Sequence, residues 1–154
     1  LFRKFLKSSA RIYEYEYSGH KSVALSITCN KLADKLQEYG ITPNKSFTAK
    51  ANPILIDKIA FWRGVIDGDG HVGITNEGYP VVHLVGSKFL LEQYREFVFN
   101  LLKKEIANIH KHRNIFQIGI VGTKAKELLR LLYIKDCLAL ARKYIKAQEI
   151  LNMS

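Results

Sequence analysis

The sequence predicts an α+β protein in which antiparallel hairpins alternate with amphipathic helices. Two observations carry this. Apolar residues recur at period two in several short stretches flanked by turn residues, the pattern of half-buried strands. Between those stretches apolar residues recur every three to four positions, the pattern of helices with one buried face. The chain has 154 residues, enough for one domain or two small ones sharing a core.

The elements follow in order. RIYEYEYSGHKSVALSIT (11–28) puts Tyr13, Tyr15 and Tyr17 on one face and Val23, Leu25 and Ile27 in phase, with SGHK free to turn, so a hairpin is expected. KLADKLQEYG carries Leu32, Leu36 and Tyr39 at helical spacing and stops at Gly40. ITPNKS reads as a loop, and a second helix is expected from about Pro53 to Asp67. HVGIT and VVHLV form a second hairpin around NEGYP. SKFLLEQYREFVFNLLKK is a long amphipathic helix with Ser87 as N-cap. NIHKHRNIFQIGIVG forms a third hairpin, and helices TKAKELLRLLY and CLALARKYIKAQEIL follow.

A repeat underlies this order. VALSITCNKLADKLQEYGI (23–41) overlays FQIGIVGTKAKELLRLLYI (116–134) without gaps. Ile27/Ile120, Lys31/Lys124, Leu36/Leu129 and Ile41/Ile134 are identical, and the order of strand, turn and helix is shared. Many strand-to-helix units look alike, which is the bland alternative. The expected domains are therefore 1–52, a partial ββα repeat with a loop, and 53–154, a full set of elements with C-terminal helices.

Lys plus Arg number 24 against 14 Asp plus Glu, a net charge of +10. That excess favours a polyanionic partner, nucleic acid before membrane surface. No apolar run reaches membrane-spanning length, and the N-terminal LFRKFLKSSARIY lacks the apolar core of a signal peptide. Cys29 and Cys137 are far apart in apolar settings, which argues against a disulfide framework and for a reducing intracellular compartment, cytoplasm or organelle matrix.

The chemistry concentrates in FWRGVIDGDGHV (61–72). Ala60, Gly64 and Gly68 fall at i, i+4 and i+8 on one helix face, and a glycine inside a helix usually has a packing reason such as close approach of another backbone. Asp67 and Asp69 sit at the C-terminal end of that helix, where the dipole disfavours carboxylates. A donor or cation must compensate, and close carboxylates with carbonyls suit a hard cation such as Mg²⁺. Two such helices side by side would join two acidic clusters, an arrangement for metal-assisted phosphodiester hydrolysis. A calcium loop is disfavoured because His71 and Val72 stand where it needs an acid or amide and a glycine. A plain D-G hairpin turn is disfavoured by the helical spacing upstream.

WRGVIDGDG (62–70) resembles the LAGLIDADG motif of the homing endonuclease family. The order helix, hairpin, helix, hairpin, helix over 53–134 resembles one αββαββα half-domain of that family, with its curved antiparallel sheet. GITPNKS and LARKYIKAQEIL resemble flanking segments of two-motif members. The resemblance implies that Asp69 is the metal-binding catalytic aspartate, with the Gly68 carbonyl a second ligand for Mg²⁺ or another divalent cation. It implies that Asp67 caps the partner motif helix, and that Ala60, Gly64 and Asp67 lie at the interface between half-domains or subunits. It implies a strand saddle in the DNA major groove, which admits a two-stranded ribbon. Lys124 matches a basic residue near the scissile phosphate; a solvated helix-start lysine is the equal alternative.

Strand alternation alone sorts the remaining side chains. Val72, Ile74, Val82, Leu84, Phe116, Ile118 and Ile120 should face the core, leaving His71, Thr75, His83 and Gln117 outward to meet DNA. His110, Lys111, His112 and Arg113 form a hairpin tip suited to phosphates; metal binding by His110 and His112 lacks a third ligand nearby. Two features depart from the family. The family's accessory glutamine would fall around Gly86 and Ser87, and neither is a glutamine; residues 1–52 hold no second D-x-D-G. Three readings follow: a nuclease completed as a homodimer or by a complementary chain, a non-cutting DNA- or RNA-binding relative such as a maturase or regulator, and a fragment needing a second chain.

Overall fold

The computed structural model describes residues 2–41 and 48–153. The expected loop ITPNKS therefore falls almost wholly outside the described residues, as does the side chain of His112. The chain is α+β and divides into two compact units, 1–38 and 39–154.

The first unit holds a short helix α1 (Phe2–Phe5), the hairpin β1 (Ile12–Tyr17) and β2 (His20–Leu25), and helix α2 (Asn30–Glu38). The hairpin turns at Ser18 and Gly19, both at positive φ, so the expected SGHK turn forms there. Helix α2 begins at Asn30 and its counterpart in the second unit at Thr123, the two positions that the repeat overlay pairs.

The second unit is built on a four-stranded antiparallel sheet of order β3-β4-β6-β5. Helix α3 (Ile59–Asp69) leads into β3 (Gly70–Ile74), which pairs with β4 (Pro80–Gly86). Helix α4 (Lys88–Leu102) follows, then β5 (His110–His112), β6 (Ile115–Val121), α5 (Thr123–Leu132) and α6 (Ala141–Leu151). Ser87 caps α4 as expected, accepting from the Leu90 N–H at 3.1 Å. Gly122 joins β6 to α5 at φ 68°, a conformation a side chain would strain, and its N–H reaches the Pro80 carbonyl at 2.8 Å. Val72, Val82, Leu84, Ile118 and Ile120 bury against the helices around Trp62, which stacks on Phe97 at 5.6 Å. The Tyr94 hydroxyl lies in this core with no hydrogen-bond partner among the described residues.

The bounds of two helices and the direction of one side chain differ from expectation. The motif helix starts at Ile59, not near Pro53, because Asn52 turns the chain first: its side chain accepts from Ile54 N and its carbonyl from Leu55 and Ile56 N. Residues just before Pro53 belong to the second unit, since Gln93 brackets the Ala51 backbone and Ser87 bonds the Ala49 carbonyl. The last helix starts at Ala141, not Cys137, because long-range partners occupy the Leu138 carbonyl and the Leu140 N–H. Ile74, expected inward, is exposed, for it ends the β3–β4 ladder beyond the helix cover.

Candidate nucleic-acid interface and its acidic helix end

Helix α3 ends without a loop: Asp69 is its last residue and Gly70 the first of β3. Gly70 makes this junction possible. A Cβ there would meet the Ile66 oxygen at 2.8 Å, the Ile66 Cα at 2.9 Å and the His83 carbonyl at 3.0 Å, all backbone atoms. Gly64 and Gly68 differ, because a Cβ at either meets nothing. Ala60, Gly64 and Gly68 are exposed and line a groove of about 400 Å³ that also includes Asp69, Phe61 and Val65.

The two aspartates have separate surroundings. Asp67 is half-buried and accepts from the Tyr133 hydroxyl at 2.8 Å and the Leu140 N–H at 2.7 Å. Its carboxylate is thus engaged within its own chain, at the start of α6, where the sequence reading had it capping a partner helix. Asp69 is exposed. The compensation that the helix end requires comes from Lys143, 4% exposed, whose ammonium donates to the Ile66 and Gly70 carbonyls. Burial and neighbouring Arg142 push the Lys143 pKa down, while Asp67 and Asp69 pull it back up. Arg63, one turn before Asp67 on the same helix face, braces the helix as well. Also buried, it donates to the Leu138 and Leu132 carbonyls, each at 2.9 Å, closing the C-terminal end of α5. Arg63, Lys143 and Tyr133 were not expected at the site; Arg63 and Tyr133 stand among apolar or small neighbours, whereas Lys143, between Arg142 and Tyr144, carries no such signal.

The outward face of the sheet carries the expected polar residues. His71 and His83 are exposed and directly paired across β3 and β4, with ring centroids 6.5 Å apart. Each ring lies over a glycine: a Cβ on Gly73 would come within 2.4 Å of the His71 Nε2, and one on Gly119 within 2.6 Å of the His83 Nε2. The glycines thus seat both imidazoles low on the sheet. Burial, then the charge of His71, lowers the His83 pKa. Val81 shares this face but is buried. Farther across, His110 pairs with half-buried Gln117. Lys111 is exposed, and Arg113 turns the β5–β6 hairpin at φ 53°. Thr75 lies in the β3–β4 turn, where its hydroxyl accepts from Tyr79 N at 3.2 Å.

Lys124 does not join Asp69. The β3–β4 ladder runs from Gly70↔Leu84 to Ile74↔Pro80; Asp69 adjoins the first end, while Gly122, just before α5, bonds Pro80 at the second. Lys124 donates to the Glu105 carbonyl at 2.5 Å and lines a different hollow. Among the described residues no three His, Cys, Asp or Glu side chains converge as a metal site. One exposed carboxylate with the Gly68 carbonyl offers hard oxygen donors of the kind Mg²⁺ takes from protein, alongside waters and substrate phosphates. No helix among the described residues is long and apolar enough to cross a membrane.

Compared with models of known families and with curated protein sequences, the chain gives no match.

Proposed function

We propose that this chain is a LAGLIDADG-type homing endonuclease that cuts double-stranded DNA with a divalent cation, its site completed by a second copy of the chain. One observation carries the reading: among the described residues, a helix with an exposed small-residue face delivers an exposed Asp69 directly to a strand of an open sheet. The helix, hairpin, helix, hairpin, helix order from α3 to α5 and the net charge of +10 support it. The exposed His71, His83 and His110, with Gln117 at their edge, suit base edges and phosphates. A two-fold pairing of α3 would set each Ala60/Gly64/Gly68 stripe against its copy and join two Asp69 carboxylates. Asp69 and the Gly68 carbonyl of both copies would then hold the cation, which would supply Lewis-acid stabilisation of the leaving oxygen.

Cleavage of a randomised duplex library with Mg²⁺, with Asp69→Asn as control, tests this. Cutting by the wild type and none by the variant is expected; equal cutting by both would refute the assignment. Gly64→Leu should abolish dimer formation and cleavage together, read by light scattering with and without DNA.

A second reading is favoured by the separation of Lys124 from Asp69 and by the single motif. In it the chain keeps the interface without cutting, as a maturase or regulator, or needs a complementary chain to cut. Duplex binding without cleavage, together with RNA-dependent splicing activity, would establish the maturase.

A further inference from the structure

We propose that the first unit carries a separate platform for unpaired nucleic acid, formed by Tyr13, Tyr15 and Tyr17 on β1. The alternation IYEYEY puts the three rings on one face of the strand and Glu14 and Glu16 on the other. The tyrosine face therefore holds aromatic rings and no carboxylate of its strand. All three rings are exposed, rising to 82% at Tyr17. Their partners across the hairpin are Ala24, Ser22 and His20, of which the first two are too small to cover an aromatic face. The Arg11 guanidinium stands over the Tyr13 ring, 5.5 Å from its centroid, adding a cation to the same face.

Solvent-exposed tyrosines in a row are unusual for a surface that faces only water, since each ring leaves a large apolar area uncovered. Single-stranded nucleic acid matches the combination: bases stack on aromatic rings whatever their sequence, and cations meet the phosphates. The spacing also fits. Attachment points two apart on a strand are about 6.8 Å apart, twice the roughly 3.4 Å rise of stacked bases and so the width of a slot for one base. Duplex DNA buries its base faces in its own stack and cannot use such slots. The platform stands whether or not the second unit cuts DNA.

The test uses the full chain and two fluorescein-labelled probes in anisotropy titrations: oligothymidylate of about 15 nucleotides, near the upper site size of such surfaces, and a duplex of the same length. Replacing Tyr13, Tyr15 and Tyr17 together by alanine should weaken oligothymidylate binding about tenfold or more, with duplex affinity kept within about twofold. Replacing all three by phenylalanine should keep single-strand affinity within about threefold, because stacking needs the ring and not the hydroxyl. Tyr17→Ala alone, beside the turn and 82% exposed, should weaken it about fivefold and covers the case in which the triple alanine chain does not fold. Unchanged single-strand affinity in the alanine variants would overturn the proposal. So would an equal fall for the phenylalanine variant. Loss of duplex affinity in step would assign the face to duplex, and loss of self-association without loss of single-strand affinity would assign it to a second copy; either overturns it. A wild type that binds duplex but not oligothymidylate would remove the platform and leave the duplex reading intact.

Discussion

Lys143→Met should destabilise the chain by about 2–4 kcal/mol. The ammonium donates to the Ile66 and Gly70 carbonyls at the end of α3 and is nearly fully buried. A hydrogen bond from a charged donor contributes about 1.5–3 kcal/mol, so two are worth about 3–6. The cation at the helix C-terminus adds about 0.3–1 kcal/mol. Methionine fills similar space and recovers about 1.5–3 kcal/mol by burying apolar surface without desolvating a charge. The difference is the net loss. Trp62, the single tryptophan, is fully buried in α3, so its emission reports the unfolding of this unit. With a urea slope of about 1.5 kcal/mol per molar, the midpoint should fall by about 1–3 M. A variant within about 0.5 kcal/mol of wild type, or more stable, would refute the reasoning. It would show that desolvating the ammonium offsets all of its bonds, as happens for some buried charges.

The other predictions rest on the same unit. Gly70→Ala should lower stability by about 1–3 kcal/mol because its Cβ meets only backbone, whereas Gly64→Ala and Gly68→Ala should be neutral or stabilising by up to about 1 kcal/mol; thermal melts of the three compare them directly. Tyr94→Phe should raise stability by about 1 kcal/mol, since it removes a buried hydroxyl without a partner, and a higher urea midpoint is the readout. The His83 pKa lies below its ordinary 6.5, so the folded chain binds fewer protons there than the unfolded chain does. Stability from this site is therefore full above pH 6.5 and declines as pH falls toward the folded pKa, and His83→Gln should flatten that decline in urea midpoints measured from pH 7.5 down to about 5.

Local rules in the sequence were enough for the hairpins and for most helices. Period-two alternation placed β3, β4 and β6 because one buried face fixes the register, the SGHK turn between alternating runs placed the exposed or half-buried β1 and β2, and Ser87 announced α4 because a cap needs only residues a turn away. The outward positions of His71 and His83 followed from the same alternation. Long-range partnerships were not legible. Nothing near Asp67 in the chain says that Tyr133 and Leu140 will take its oxygens, and nothing near Arg63 points to Leu132 and Leu138. The late starts of α3 and α6 have the same cause: Asn52 and the Asp67–Leu140 bond redirect backbone that helical periodicity alone would have continued. Sequence order also does not say at which end of a ladder a helix begins, so the separation of Lys124 from Asp69 could not be read from it.

The bonds that hold the acidic end of α3 reach residues between 66 and 77 positions later in the chain. During synthesis at about 5–20 residues per second, those partners leave the ribosome roughly 3–15 s after the helix itself. For that interval Asp67 has neither of its donors and the helix end lacks its buried cation. A nascent chain attached to its message therefore carries the aspartates in an unbraced state, and the geometry at Asp69 becomes available only once Lys143 has left the ribosome.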